Sequence, residues 1–262
     1  MSPADGPESI DPRIRERRES VERGRTRKRL RWAAAVVGLA VLVALGAGLL
    51  HTPWFAAQVV TVTGAHPNTP DLAIVGAAGM AHHPPLISVD PGLAAARVES
   101  LPFIASAQVV RHWPDGVTIH VTERVPVVAM AGPAAAWSTL DGNGRTLAVT
   151  PGRPLLPVLI VHSPAGPVPP APVGGTVPAA AGPGLAVARS LPPAFAGQVV
   201  SITVAADGTV SLALSSNLVV LLGTVSDLPA KYEDVAAIIA HAPLRGAHTI
   251  DVTVPQSPTV GS

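Results

Sequence analysis

The sequence predicts an α+β protein with a single transmembrane helix, then a β-α-α-β-β domain, and then a mostly antiparallel β domain that ends in a helix and an edge strand. Two observations support this order. One uncharged stretch near the N-terminus is long enough to cross a bilayer, and the apolar residues behind it alternate at period two more often than at helical spacing. The 29 prolines and 24 glycines of the 262-residue chain also favour strands and turns over long helices.

The transmembrane helix is predicted over 32–52. Its apolar part, Trp32–Leu50, has 19 residues and no charged side chain. At ~1.5 Å per residue this stretch extends about 28 Å, close to the ~30 Å hydrocarbon core of a bilayer. A cleaved signal peptide has a shorter apolar core, and an internal helix is rarely apolar on all sides beside a basic run. An uncleaved membrane anchor is therefore the favoured interpretation.

The tail 1–31 predicts the orientation of this anchor. It holds ten basic and six acidic side chains, whereas the rest of the chain holds eight basic and eleven acidic ones. Basic residues beside a span stay in the cytoplasm and can contact anionic lipid headgroups. The predicted topology determinants are Arg27, Lys28, Arg29 and Arg31. We expect a single-pass, type II protein of the plasma membrane, with a cytoplasmic N-terminus and no nucleic-acid partner, because the tail lacks interleaved aromatic residues.

The first domain is predicted over 57–126. The alternating segment 59–64, VVTVTG, indicates a strand. Two helices follow, each opened by a capping residue and a proline, at Thr69-Pro70 and Asp90-Pro91. The last two strands are expected at 105–112 and 117–121, on either side of Asp115-Gly116, a dipeptide typical of hairpin turns.

The second domain is predicted over 127–255. It is expected to be nearly all β until the apolar residues of 228–241 repeat at helical spacing. Its proline-rich stretch, 163–183, contains seven prolines and is interpreted as a loop, since strand-like alternation resumes behind it. A last strand is predicted over 248–254, and the tail 256–262 is expected to be disordered.

The residue types argue against several kinds of chemistry. The chain has no cysteine, so thiolate catalysis, disulfides and Cys–metal sites are excluded. The nine histidines include no H-E-x-x-H pair, and His82-His83 is expected in a solvated loop. Asp141-Gly-Asn-Gly resembles the start of a calcium loop, but Arg145 in the fifth position would repel a cation. With no nucleophile or phosphate-binding motif, we predict no cofactor, no metal, no catalytic residues and no enzymatic activity.

The order of these parts, together with several short motifs, resembles the FtsQ/DivIB family of bacterial divisome proteins over nearly the whole chain. VVTVTG resembles the first strand of the family's POTRA domain. The stretches LVVLLG at 218–223 and IDVTVP at 250–255, and the helix containing Lys231, resemble the C-terminal end of the family's proteins. The bias to sixteen arginines over two lysines, typical of G+C-rich genomes, fits an actinobacterial member. The most specific likeness lies in 101–128, at Leu101, Pro102, Ala107, Val109, Arg111, Trp113, Pro114, Val121, Glu123, Arg124 and Pro126. The proline-rich loop is longer than the family pattern implies.

The resemblance implies a bitopic scaffold at the division septum that recruits FtsB and FtsL and contacts the septal synthase pair FtsW and FtsI. It also implies that a partner is recognised by strand addition at the end of the β domain. A terminal strand leaves one row of backbone groups free, and a partner segment can pair with that row. Alternatively, the strand is internal or solvated. The residues expected to bind are His248, Thr249, Ile250, Asp251, Val252, Thr253 and Val254.

Two further alternatives stay open at this point. Glu123 and Arg124 are expected either to form a surface ion pair that closes the last POTRA strand or to contact another divisome protein. The whole chain could instead be a membrane-anchored extracytoplasmic cell-wall enzyme or a POTRA-type secretion chaperone. An enzyme needs a cleft of convergent polar groups, whereas a scaffold needs an open sheet edge.

Overall fold

The computed structural model describes residues 12–50, 52–64, 67–241, 246, 248–254 and 257–261. The chain divides into two compact units. The first combines the N-terminal helix and the residues up to 59 with two further segments, 83–89 and 112–116. The second consists of 60–82, 90–111 and the chain from 117 onward.

Helix α1, Pro12–Leu50, dominates the first unit. Its segment Arg31–Leu49 is long and apolar enough to cross a membrane, in agreement with the predicted anchor. A short 3-10 turn, Pro53–Phe55, follows. The chain behind this turn is held by backbone bonds, from Ala57 N to Pro84 O (2.9 Å) and from Gln58 N to Asp115 O (3.0 Å).

The β-α-α-β-β order of the first domain is confirmed. The elements are β1 Val59–Thr63, α2 Asp71–Ala77, α3 Pro91–Glu99, β2 Ile104–His112 and β3 Gly116–Glu123. The strands form a sheet in the order β1-β3-β2.

The two predicted helix caps have different outcomes. Asp90 caps α3 as predicted, because its carboxylate accepts hydrogen bonds from Gly92 N (2.9 Å) and Leu93 N (3.1 Å). The cap predicted at Thr69 is wrong: α2 begins one residue later, with Pro70 in the N-cap position and no side-chain cap bond.

The β domain contains one large mixed sheet. The elements are β4 Pro126–Ala131, β5 Trp137–Asp141, β6 Thr146–Thr150, β7 Val158–Ser163, β8 Gly166–Pro167, α4 Gly182–Ser190, α5 Pro193–Ala196, β9 Val199–Val204, β10 Val210–Leu214, β11 Val219–Gly223, α6 Leu228–His241, β12 Thr249–Asp251 and β13 Thr259–Gly261. The strand order of the sheet among the described residues is β13-β12-β11-β10-β9-β7-β4-β5-β6, and β8 pairs with β7.

Most neighbouring strands are antiparallel, as predicted, but three described pairs are parallel: β4 with β7, β7 with β9, and β11 with β12. Helices α4 and α5 lie between β7 and β9 in the chain, and α6 lies between β11 and β12. A helical crossover returns the chain to the same end of the sheet, so the next strand runs parallel to the previous one.

The core of this domain lies between the sheet and its helices. Leu185 and Val187 of α4 join Tyr232 and Val235 of α6 in one hydrophobic cluster with the strands. Along β10, Val210, Leu212 and Leu214 are buried while the residues between them are half-buried. The helices therefore cover one face of the sheet, which fixes the position of α6 against β11.

The end of the chain differs from the expectation. The predicted strand over 248–254 is wrong in length, because β12 covers only Thr249–Asp251. The tail expected to be disordered forms β13 at Thr259–Gly261 instead. Of the predicted tail, Gln256 and Ser262 lie outside the described residues.

Candidate partner-binding site

The predicted binding strand is fixed on its inner side by β11. The two strands are parallel, with Val220 opposite Ile250. Val219 N donates to His248 O (2.9 Å), and Val252 N donates to Leu221 O (3.0 Å). One row of backbone groups of β12 is therefore used within the sheet.

The outer side of β12 is occupied by the end of the chain. β13 pairs antiparallel with β12, with Ile250 opposite Val260 and Thr249 opposite Gly261. His248 N also donates to Gly261 O (2.9 Å). The prediction that 248–254 forms the edge strand is therefore wrong, because β12 has a neighbour on both sides. The outermost strand of the described sheet at this end is β13. We call the residues 248–254 and 257–261 the C-terminal rim.

The side chains of the rim divide into two groups. Ile250 and Val252 are completely buried in the core of the domain. Val254, by contrast, is 64% exposed. A partner could therefore reach only part of the predicted site without unfolding it. The accessible or half-accessible residues are His248, Thr249, Asp251, Thr253 and Val254.

Asp251 ends β12. Its Oδ1 accepts hydrogen bonds from Thr253 N (2.9 Å) and from the Thr253 hydroxyl. This local turn diverts the chain, and it explains why the alternating pattern continues to Val254 although the strand does not. The side-chain and backbone hydrogen bonds from Thr253 stabilise the carboxylate and lower the pKa of Asp251 below its usual value.

Lys231 supports the rim from within. Its side chain is completely buried, and Nζ donates to Leu222 O and Thr224 O, both at 2.8 Å. These carbonyls lie at the end of β11, so the lysine links that end to the first turns of α6. The sequence places Lys231 on a helix but gives no sign that it is buried, since lysine is rarely internal.

Tyr232, the neighbour of Lys231, holds α6 against α4. Its hydroxyl forms a hydrogen bond with Ser190 Oγ (2.9 Å), and its ring lies 6.1 Å from that of Phe195. Burial disfavours the phenolate and raises the pKa of Tyr232, although the Ser190 hydrogen bond acts in the opposite direction. Helix α6 is therefore a rigid support behind the rim.

Glu123 and Arg124 do not form the expected ion pair with each other. Glu123 accepts hydrogen bonds from Asn68 N (3.2 Å) and Asn68 Nδ2 (3.0 Å). Arg124 Nη1 donates to Asp141 Oδ2 (2.9 Å), and Arg124 Nε donates to Ile104 O (3.0 Å). Neighbouring residues of an extended chain point to opposite sides, so the two side chains bind different parts of the molecule.

Of the four predicted topology determinants, Arg29 and Arg31 are exposed on α1. The side chains of Arg27 and Lys28 lie outside the described residues. Arg31 borders the segment that is apolar enough to span a membrane. Positive charge therefore flanks the span on its N-terminal side.

The surface of the β domain also contains cavities. Two surface cavities of about 310 and 340 Å³ share Val200 and are lined mainly by apolar residues. Arg153 is the charged residue of the first cavity. Within the described part of the chain, no three His, Asp or Glu side chains form a cluster that could hold a metal ion.

Two family models match consecutive parts of the chain. Residues 55–124 match the model described as "POTRA domain, FtsQ-type", and 134–253 match "Cell division protein FtsQ/DivIB, C-terminal". The first match covers the β-α-α-β-β domain, and the second covers the large sheet from β5 to Thr253, without β4.

Two FtsQ relatives agree with these matches. The cell division protein FtsQ of Mycobacteroides abscessus is 30% identical over 99% of this chain and 89% of its own length. FtsQ of Mycolicibacterium smegmatis is 34% identical over 89% of this chain and 65% of its own length. A solved extracytoplasmic domain of DivIB from Geobacillus stearothermophilus is 20% identical and covers 45% of this chain and 96% of its own, with a TM-score of 0.31.

A helix able to span a membrane, a POTRA domain and a C-terminal β domain together define a POTRA-type cell division protein with a membrane anchor. The chain belongs to the FtsQ/DivIB family, as its sequence motifs indicated, and the two FtsQ relatives described above are actinobacterial. A role in cell division, through interactions with other divisome proteins, follows from this membership.

Proposed function

We propose that this chain is a non-enzymatic scaffold that recruits FtsB and FtsL to the septum and links them to the synthase pair FtsW and FtsI. The observation that carries the proposal is the C-terminal rim, where the large sheet ends in two short strands, β12 and the wholly exposed β13. Strands at the end of a sheet are a template for an added strand. The accessible side chains of 248–254 would then provide specificity.

The orientation in the membrane is part of the proposal. Exposed Arg29 and Arg31 precede the span, and basic residues in this position stay on the cytoplasmic side. The POTRA and β domains would then lie outside the cytoplasm, as a type II single-pass protein requires. This arrangement exposes the rim to partners anchored in the same membrane.

A second contact through Glu123 and Arg124 receives less support from the geometry. Both side chains are used within the molecule, by Asn68 and Asp141 respectively. A partner would have to compete with these bonds. We therefore assign the main contact to the rim and a structural role to this pair.

The two alternative functions are less compatible with the site. The cavities near Val200 are mainly apolar and do not gather the polar side chains that an enzyme site needs. A secretion chaperone of the POTRA type would use the edge of the small sheet rather than the rim. Loss of secretion with normal septation would favour that alternative.

Depletion of the protein tests the cellular role. We expect filamentous cells without septa, which the wild-type chain should rescue. Cells that divide normally after depletion would contradict the scaffold.

A pull-down with the tagged full chain in detergent tests the site. Thr249→Arg places a large charged side chain on β12, and we expect it to reduce recovery of the FtsB–FtsL pair severalfold. Thr150→Arg is the matched control, because it makes the same change on the exposed end of β6, at the opposite edge of the sheet. Equal losses for both variants would argue against a site at the rim.

A further inference from the structure

The segment 257–261 occupies the position that a partner strand would need on β12. It pairs with all three residues of that strand, from Thr249 opposite Gly261 to Asp251 opposite Thr259. A partner that recognised β12 directly would have to form the same kind of backbone pairing in the same place. The two segments therefore cannot bind β12 together.

The pairing of this segment is slight. β13 has three residues, and all of them are exposed. Val260 remains 44% exposed although it lies opposite the buried Ile250. Few backbone bonds and little apolar burial hold the segment, while ordering it costs conformational entropy. Its closed and released states should therefore differ little in free energy.

The connection between the two strands permits release. Seven residues, 252–258, separate the end of β12 from the start of β13. The turn at Asp251 is made within the connection itself, by bonds to Thr253. β12 also remains bound to β11 through Val252 N, whether or not β13 is present. Release of residues 257–261 from β12 therefore breaks none of the bonds that hold β12 to β11.

We propose that residues 257–261 are an intramolecular competitor that must leave β12 before a partner strand can pair there. This inference rests on the proposed function and names the surface and the kind of segment that fits it. The partner segment is extended, runs antiparallel to β12 and places an apolar side chain over Ile250, where Val260 lies now. A larger apolar residue in that place would bury more apolar surface than Val260, which is 44% exposed, and would displace the tail.

A disulfide that locks the tail tests the inference. A Cβ on Gly261 would lie 3.7 Å from the Cβ of Thr249, within the ~3.5–4.5 Å that a disulfide requires. The chain has no cysteine, so Thr249→Cys with Gly261→Cys creates the only pair. The full-length variant is compared in detergent in its oxidised and reduced states, with the FtsB–FtsL pair as the probe.

We expect the oxidised variant to recover at least about tenfold less of the probe than the same protein after reduction, because locking removes the binding-competent state. The single variants Thr249→Cys and Gly261→Cys should show no such redox dependence. Deletion of 257–262 should strengthen binding up to about tenfold, since competition by the tail is removed. A peptide of residues 255–262 added in excess should weaken binding to the deleted chain.

The outcomes separate the two proposals. Equal recovery in the oxidised and reduced states would overturn the competitor while leaving the scaffold in place, because the partner would then bind with the tail still paired. Failure of the two cysteines to cross-link would also overturn it, since β13 would not lie on β12. Absence of recovery in both states, and with the wild-type chain, would contradict the proposed function itself.

Discussion

The protein's own chain covers two strands near opposite ends of the large sheet, β6 and β12, in different ways. At β6, the proline-rich loop 163–183 binds the first residue of the strand: Thr146 N donates to Gly175 O (2.9 Å), and Gly174 N donates to Thr146 O (2.8 Å). At the opposite end, β13 lies along the whole of β12. Both covers are made of backbone, but they differ in what anchors them.

The proline-rich cover is anchored in the core. Val177 and Ala181 are buried in the same hydrophobic cluster as the sheet, and Val177 N donates to Gly144 O (3.0 Å). The chain then enters α4, which packs on β9. The loop's prolines lack the N–H that a further strand would use. The loop is therefore an anchored cover over the start of β6, at Arg145 and Thr146.

The tail has no comparable anchor, since every residue of β13 is exposed. The two covers therefore differ in how much apolar surface they bury. The proposed function requires the weakly held tail to yield to another strand, whereas the anchored loop should stay in place. Substitutions in the loop, in β12 and at Asp251 test this difference.

Gly144→Ala should disrupt the contact of the proline-rich loop with the start of β6. Gly144 has a φ of +79°, and an added Cβ would lie 2.8 Å from both Leu185 Cδ1 and Val177 Cγ2. Backbone strain and steric overlap together should lower the free energy of unfolding by about 3 kcal/mol. Chemical unfolding of the full chain in detergent measures this effect.

Gly166→Ala is the matched control for that change. Its φ is +117°, but an added Cβ there meets no atom within 4 Å. It should therefore cost about 1 kcal/mol, from the backbone alone. Similar losses for the two variants would mean that the contact between the loop and β6 contributes little.

Val252→Pro should detach β12 from β11. The substitution removes the N–H that donates to Leu221 O, at a completely buried position. We expect a loss of about 2 kcal/mol of stability and, in the pull-down, loss of the FtsB–FtsL pair. Val254→Pro, at an exposed position, should change stability by less than about 0.5 kcal/mol. Normal recovery with Val252→Pro would exclude β12 as the binding strand.

Acid should weaken the turn beside the tail. The pKa of Asp251 is lower in the folded chain than its usual value of 3.8, chiefly because the Thr253 hydroxyl donates to its carboxylate. The stabilisation is therefore complete above that usual value and is lost as the pH falls through the lower pKa of the folded state. We expect the free energy of unfolding to decrease slightly below pH ~4. This decrease should be smaller in the Asp251→Asn variant than in the wild type.

Asp207 provides the comparison for this pH effect. Its carboxylate accepts the same two bonds, from Thr209 N and Oγ1, and these hydrogen bonds lower its pKa too. Asp207→Asn should therefore remove a similar part of the acid dependence without affecting partner binding. An identical pH profile for the wild type and Asp251→Asn would show that the Asp251 turn does not contribute to stability.

Much of the architecture could be predicted from local signals. The cap at Asp90, the helix over 228–241 and the hairpin at Asp115-Gly116 follow from short patterns that act within a few residues. The span follows from length and charge. These features depend on neighbours in the sequence, and so the sequence contains their cause.

The candidate site could be predicted only in its location. The alternation in 248–254 predicted a strand, of which β12 covers Thr249–Asp251, but it could not show which segment lies beside β12. The three residues of β13 follow Pro258 and are too short to show a period. The partners of Arg124 and the burial of Lys231 were equally hidden from the sequence.

Local patterns in the sequence therefore predict the anchor, the β-α-α-β-β order of the first domain and the helix over 228–241. The folded structure was needed to identify neighbouring segments: the parallel pairing of β12 with β11, the proline-rich cover on β6 and the tail on β12. Backbone pairing uses groups common to every residue, so a short sequence pattern does not specify the partner segment. Which segments meet then depends on packing across the whole sheet, as with Lys231 between α6 and the end of β11.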